Sequence, residues 1–515
     1  MPDRTRAWIA AAGAVVVVAL YATGLDWSPI YLSHDEVIYA RNALSIARTG
    51  RDLTGQFLPI SIPVTSTFFA TPANIYFTAA FLSVLPMNEV TIRLPSVVIG
   101  LVCALLVGMI ARRLFKSESL GWLAASLLLV TPAHFIHSRM GTDHLYLVLC
   151  VLAWLAVVLG GGERVSPRRA FVAGACLGLS LYTYLGAAIT APVCVAITAA
   201  WLWLTGRGDT RAIGAAAAGF LLPALPFALW HLTHPGQYAQ QVRMYAIYDS
   251  GSLDAVQGAR QLAAPASLAE RASVYWDYFN PSFLFFAGDS SLINGTRYTG
   301  VFLIPMLVLL PVGLVILLVR GGPPGGLLAL VLAAGPVAAT VVAERYRVNR
   351  ALMMLPIAAL CAAAAVDAGR RSASRIVRAA VGVLCVGMVV QFAAFYRDYM
   401  GDYRVRSAQW FEFNVRDGMH DVITRATPAS RVWISQALLW SDYYWPFYLE
   451  RFRRPELLSQ TNYFDPVAAD LASIPADTYV LCPVAQEARL LSAGFARVSA
   501  IEEPDGTHSL SVLHR

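Results

Sequence analysis

TFFATPANIYFTAAFLSVLP, Thr67 to Pro86, carries no charged residue and is long enough to cross a membrane. A helix rises 1.5 Å per residue, so about 20 apolar residues cover a hydrocarbon core roughly 30 Å thick. Whether this run crosses decides the side on which every later segment lies. The other apolar runs fall near 8–25, 92–111, 119–137, 144–160, 170–185, 187–205, 212–232, 298–319, 326–343, 351–368 and 376–396. If Thr67–Pro86 lies along or partly in the outer leaflet as a juxtamembrane helix, about eleven spans remain. The short basic loops Arg4/Arg6, Arg112/Arg113/Lys116, Arg164/Arg168/Arg169, Arg207/Arg211, Arg320 and Arg370/Arg371/Arg375 then share one side, the cytoplasmic one by the positive-inside tendency. Counting Thr67–Pro86 as a span would put Arg112, Arg113 and Lys116 outside.

Composition agrees with a polytopic membrane protein. The 515 residues are 57% hydrophobic and 14% charged, against roughly 25% charged in soluble domains. The net charge of +7 is carried almost wholly by arginine, Lys116 being the single lysine, and specifies no ligand. Nucleic acid is not an expected partner. Six cysteines lie in apolar runs and Cys482 stands apart, so no disulfide framework is visible. The first apolar run has no small-residue cleavage pattern after it and reads as a retained span.

This topology gives the outer face a loop at 26–91, a tight turn at Arg139–Asp143, a loop at 233–297, the link Glu344–Arg350 and everything after about Tyr396. The C-terminal piece reads as a small α/β domain: a helical pattern at Trp410–Thr424, β-like runs RVWIS and TYVLC, and a Pro504–Gly506 turn between alternating segments. The expected domains are 1–396, in the membrane, and 397–515, exported.

Three charged clusters gather on that face. In YLSHDEVIYA, Tyr31–Ala40, Asp35 and Glu36 point about 100° apart on a helix, so one can serve as base and the other as neighbour. His34 reads as a hydrogen-bond partner, and the alternative for both acids is a solvated loop. In HSRMGTDHLY, Arg139 and Asp143 either pair with each other or orient a base or a metal, with His137 and His144 close by. The sequence requires no metal and leaves a divalent ion possible. In ERYRVNRAL, Arg345, Arg347 and Arg350 run against the positive-inside tendency, and their planar forks match phosphate oxygens. Anionic headgroups are the alternative ligand.

The acidic pair after the first span, TIRLPSVVIGL (Thr91–Leu101), PAHFIHSRMGTDHLYLVL (Pro132–Leu149), YFNPSFLFFAGD (Tyr278–Asp289) and NRALMMLP (Asn349–Pro356), taken in order, resemble the family 39 glycosyltransferases of the GT-C fold. That group includes protein O-mannosyltransferases and lipid A aminoarabinose transferases. The resemblance implies a polyprenyl-phosphate-linked sugar donor, transfer with inversion on the exported face, and Asp35 as base. It groups Arg93 with Arg345, Arg347 and Arg350 as donor-phosphate ligands. Two features depart from the pattern: ATPANIY, Ala70–Tyr76, has Thr71 where a phosphate-binding lysine can sit, and LWSDYYWPFY, Leu439–Tyr448, reads as an aromatic core helix.

The expectation is therefore an α-helical polytopic membrane protein of GT-C fold with a C-terminal α/β domain. It would sit in a bacterial inner membrane, N-terminus cytoplasmic, and move a hexose or pentose to an envelope lipid, glycan or protein. The competing reading is a lipid-linked oligosaccharide flippase or polysaccharide exporter, against which the apolar span midsections speak.

Overall fold

The computed structural model describes residues 3–65, 68–245, 247–248 and 252–515. Thr67, the first residue of the run quoted above, and residues 246 and 249–251 of the 233–297 loop lie outside the described residues. Contacts divide the chain into two units, Met1–Thr23 with Thr49–Phe77 and Arg93–Arg397, and Gly24–Arg48 with Thr78–Ile92 and Asp398–Arg515. Two pieces of the loop expected at 26–91 thus group with the C-terminal residues.

The first unit is helical. The expected spans overlie helices or broken pairs of helices, that expected at 298–319 only from Met306 on, and Glu89–Phe115, Ala187–Leu204, Thr210–Thr233 and Arg375–Met400 are long and apolar enough to cross a membrane. The expected span 119–137 is broken into Glu118–Leu129 and Pro132–His137, because Pro132 has no N–H to continue the ladder. Helices Pro167–Leu179 and Thr210–Thr233 pack backbone to backbone: a Cβ on Gly174 would collide with the Ala216 carbonyl, and one on Gly219 with that of Phe171. Small residues at such a seam gain dispersion contact where lipid offers no hydrophobic drive. In the Thr67–Pro86 run, Phe69–Ala70 pairs as a short strand with Ile62–Pro63, and the helix is Pro72–Leu82, 11 residues. That is roughly 16 Å long, about half a bilayer core.

The second unit is built on a five-stranded sheet. With β1 Arg431–Ser435, β2 Thr461–Phe464, β3 Thr478–Pro483, β4 Ala496–Glu502 and β5 His508–His514, the order is β2-β1-β3-β5-β4. β1 runs parallel to β2 and β3, pairing Val432 with Thr461 and Tyr479, while β5 is antiparallel to β3 and β4. Alternation sorts the side chains: Val432, Ile434, Leu481 and Val512 enter one core, Val480, Cys482 and Leu513 the other. The first core also takes Tyr444, Trp445, Phe447 and Tyr448 of helix Ser441–Arg451, so LWSDYYWPFY forms the expected aromatic core helix. The helix expected from Trp410 begins later, at Val415. Glu412 and Phe413 adopt left-handed backbone, φ 63° and 59°, which ends the preceding 3-10 turn Ala408–Phe411.

Helix His34–Thr49 belongs to this unit, with Val37 and Ala40 buried in the first core beside Val415 and Met419. Full burial of a valine is worth about 1.5–3 kcal/mol. The helix that carries the acidic pair is therefore seated on the C-terminal α/β core.

Candidate functional site

Ser33, before helix His34–Thr49, and Glu36 form a capping box. The Ser33 N–H donates to Glu36 Oε2 at 2.9 Å, the Ser33 hydroxyl to the same oxygen at 3.2 Å, and the Glu36 N–H to Ser33 Oγ at 3.4 Å. Glu36 is fully buried. Asp35, one residue earlier, turns away with its side chain 39% exposed and Oδ1 3.5 Å from His34 Nε2. Burial of the surroundings pushes the Asp35 carboxyl above the usual carboxylate range; the charge of Glu36 adds to this and that of His34 opposes it. The two adjacent acids thus differ in surroundings: one is buried in the helix cap, the other is partly exposed beside His34.

The signal for the cap, S-x-x-E ahead of an apolar run, stands in the sequence and gives Glu36 a capping role. Two further neighbours had no local signal. Glu412 Oε1 lies 3.9 Å from His34 Nδ1, and the Trp440 ring stacks on the His34 imidazole at 4.6 Å and 13°.

The first unit holds the arginines. Arg345 is ion-paired with Asp277, Arg347 lies 3.8 Å from Asp289, and Arg350 Nε donates to Glu344 at 2.7 Å. Each of the three guanidiniums of the link thus has a carboxylate near it, which orients it and lowers what the three offer together to an anion. Arg350 differs from the others. Its side chain is 11% exposed, its Nη1 donates to the Tyr184 hydroxyl at 2.8 Å, and it sits over the Tyr245 ring at 4.9 Å. It also lines a cavity of about 550 Å³ whose other walls include Ile189, Phe227, Leu262, Ala338 and Val341. An apolar cavity with one fixed cation suits an amphiphile with an anionic head.

Asp289 sets the link. A wide π-type turn, Ser282–Ala287, ends at Gly288, φ 69°, where a side chain would meet the Thr299 carbonyl. Asp289 then accepts from the Val348 N–H at 2.5 Å and the Ser291 N–H at 2.7 Å. Burial pushes its carboxyl up to about 6, with those N–H groups and Arg347 working against the shift.

Arg139 is fully buried and donates to the Tyr21 carbonyl at 2.7 Å, over the Phe135 ring. Asp143 accepts from the Thr71 hydroxyl at 3.2 Å, so the residue standing at the lysine position ties the start of helix Pro72–Leu82 to the turn. Arg93 is fully buried in helix Glu89–Phe115. His137 and His144 meet Nδ1 to Nδ1 at 3.2 Å as hydrogen-bond partners, and among the described residues no set of three or more His, Cys, Asp or Glu is placed to hold a metal.

Residues 70–230 match the dolichyl-phosphate-mannose-protein mannosyltransferase family. No curated protein sequence matches the chain. Among solved structures, ArnT from Cupriavidus metallidurans is similar in its apo state at 14% identity and TM-score 0.65, over 99% of this chain and 98% of that one. Bound to undecaprenyl phosphate, ArnT is similar at 14% identity and TM-score 0.62, over 98% of each chain. The apo oligosaccharyltransferase of Archaeoglobus fulgidus is similar at 12% identity and TM-score 0.54, over 96% of this chain and 74% of that one. Identities this low speak to the fold alone.

Proposed function

We propose, on the premise that this integral membrane protein has the fold of the GT-C glycosyltransferases, that it moves a sugar from a polyprenyl-phosphate donor to an envelope acceptor, with inversion, on the exported face. The observation that carries this reading is the apolar cavity lined by Arg350, which suits an isoprenoid chain ending in phosphate. The bound undecaprenyl phosphate of the similar ArnT structure supports it.

Asp35 takes the proton of the acceptor hydroxyl. The freed oxygen pair attacks the anomeric carbon from the face opposite the phosphate, the bond from that carbon to the phosphate oxygen breaks, and its electrons stay on the polyprenyl phosphate. Charge on the leaving phosphate grows as the bond breaks, and Arg350, already oriented by Glu344 and Tyr184, meets it without reorganising. One such pre-placed donor is worth roughly 3–4 kcal/mol of barrier. Arg345 and Arg347, each drawn to a carboxylate, shape the link. The arginine-bearing loops at the other ends of the spans face the cytoplasm of a bacterial inner membrane, which puts Asp35 and residues 397–515 outside.

The test is transfer by the purified protein from radiolabelled polyprenyl-phosphate hexoses and pentoses to a cell-envelope fraction. Label appearing in an envelope lipid, glycan or protein with release of polyprenyl phosphate is the expected result. No turnover of any such donor contradicts the reading.

A further inference from the structure

We propose that Glu412 and Trp440, both from the C-terminal half of the second unit, are positioning residues that clamp the His34 imidazole between them and so hold Asp35 in the orientation in which it takes the acceptor's proton. This rests on the reading of Asp35 as base and adds the residues that keep it in place.

The imidazole is held on three sides. Asp35 Oδ1 is 3.5 Å from Nε2, Glu412 Oε1 is 3.9 Å from Nδ1, and the Trp440 indole lies nearly parallel to the ring at 4.6 Å. Two carboxylates face opposite ring nitrogens, and the stacked indole fixes the plane of the ring. Glu412 and Trp440 both adopt left-handed backbone, φ 63° and 56°, Glu412 at the end of the turn Ala408–Phe411 and Trp440 ahead of helix Ser441–Arg451, so a helix terminus sets the direction of each side chain. Two such residues, 28 apart in sequence and flanking one imidazole, are not needed to fill a core: the Glu412 side chain stays 19% exposed.

Two nearby polar groups of the same unit have partners of their own, and Tyr443 packs against the Trp440 ring. Glu36 is held in the capping box, and the Tyr444 hydroxyl donates to the Leu32 carbonyl at 2.8 Å. Burial raises both the Asp35 and Glu412 carboxyls, and His34 opposes the rise at each. Glu412 thus reaches Asp35 through the imidazole. Removing its charge loosens the hold on the ring, and as the ring moves off, Asp35 loses the neighbour that opposes its rise.

The experiment is steady-state transfer from radiolabelled polyprenyl-phosphate mannose and polyprenyl-phosphate pentose, using whichever the wild type turns over, across pH. Glu412→Gln should lower kcat about tenfold, a modest share of what misorienting a reacting group can cost, leave donor KM within twofold, and move the acid limb of the kcat profile to higher pH. Glu412→Asp should recover part of both effects. Should Glu412→Gln not fold, judged by its melting temperature in detergent, Trp440→Leu carries the same expectation for kcat against KM. With Asp35→Asn inactive, a kcat and acid limb unchanged in these variants overturn the clamp alone. A fully active Asp35→Asn, or a wild type that turns over neither donor, overturns the reading of the base and the clamp with it.

Discussion

Asp35 and Arg350 sit in opposite surroundings. The Asp35 side chain is 39% exposed beside one imidazole, whereas that of Arg350 is 11% exposed and fixed by a carboxylate, a phenol and an aromatic face. A base must keep an accessible oxygen that a changing acceptor can reach. A group that stabilises a leaving phosphate contributes most when its direction is set beforehand. In both regions the neighbours in sequence have been given other tasks: Glu36 closes a helix, Arg345 pairs with Asp277 and Arg347 lies beside Asp289.

The contrast breaks most visibly at Asp35. Asp35→Asn keeps shape but loses basicity, and turnover should fall roughly 10²–10⁴-fold, whereas Glu36→Gln, which keeps an acceptor oxygen in the cap, should cost far less. A comparable loss in Glu36→Gln, at unchanged melting temperature, would erase the distinction between the two acids.

Next in size is the arginine link. Arg350→Lys keeps the charge and loses the fork, so donor binding should weaken about 10–100-fold, the worth of a charged hydrogen bond at 1.5–3 kcal/mol. Arg345→Lys should change it little, because Arg345 is directed at Asp277. Equal effects at both positions would mean that the link acts as a diffuse cation.

Asp289 offers a smaller, pH-dependent effect. Its carboxyl rises from 3.8 to about 6 on burial, so the folded protein holds this proton where the unfolded chain releases it. The contribution to stability is therefore present in full below about pH 4 and lost as pH rises through about 6, up to about 3 kcal/mol. Asp289→Asn cannot titrate, and the melting-temperature advantage of the wild type over it should shrink between pH 4.5 and 7. A difference independent of pH would show an ordinary carboxyl.

The helix cap is worth least. Ser33→Ala should lower stability by about 1 kcal/mol, read by thermal unfolding, with donor affinity unchanged.

The parts of the molecule legible in sequence are those set by local chemistry. Apolar length and arginine position marked the spans and kept Thr67–Pro86 from being one, and period-two alternation marked RVWIS, TYVLC and the hairpin around Pro504–Gly506. Glu36's cap is equally local, in S-x-x-E. Other features depend on contacts far along the chain. Asp277 and Asp289 lie beside arginines 68 and 58 residues later, and Val37 enters a core made mostly by residues after 414. Glu412 and Trp440 owe their place to backbone conformations that neither residue type announces.

The most direct test of the central claim, that Asp35 does chemistry while Arg350 holds the donor, is single-turnover transfer measured beside donor binding in folded Asp35→Asn and Arg350→Lys. Asp35→Asn should bind polyprenyl-phosphate sugar as the wild type does and fail to transfer it. Arg350→Lys should bind weakly and recover part of its transfer at high donor concentration. Wild-type turnover in Asp35→Asn, or wild-type donor affinity in Arg350→Lys, would contradict the division of labour.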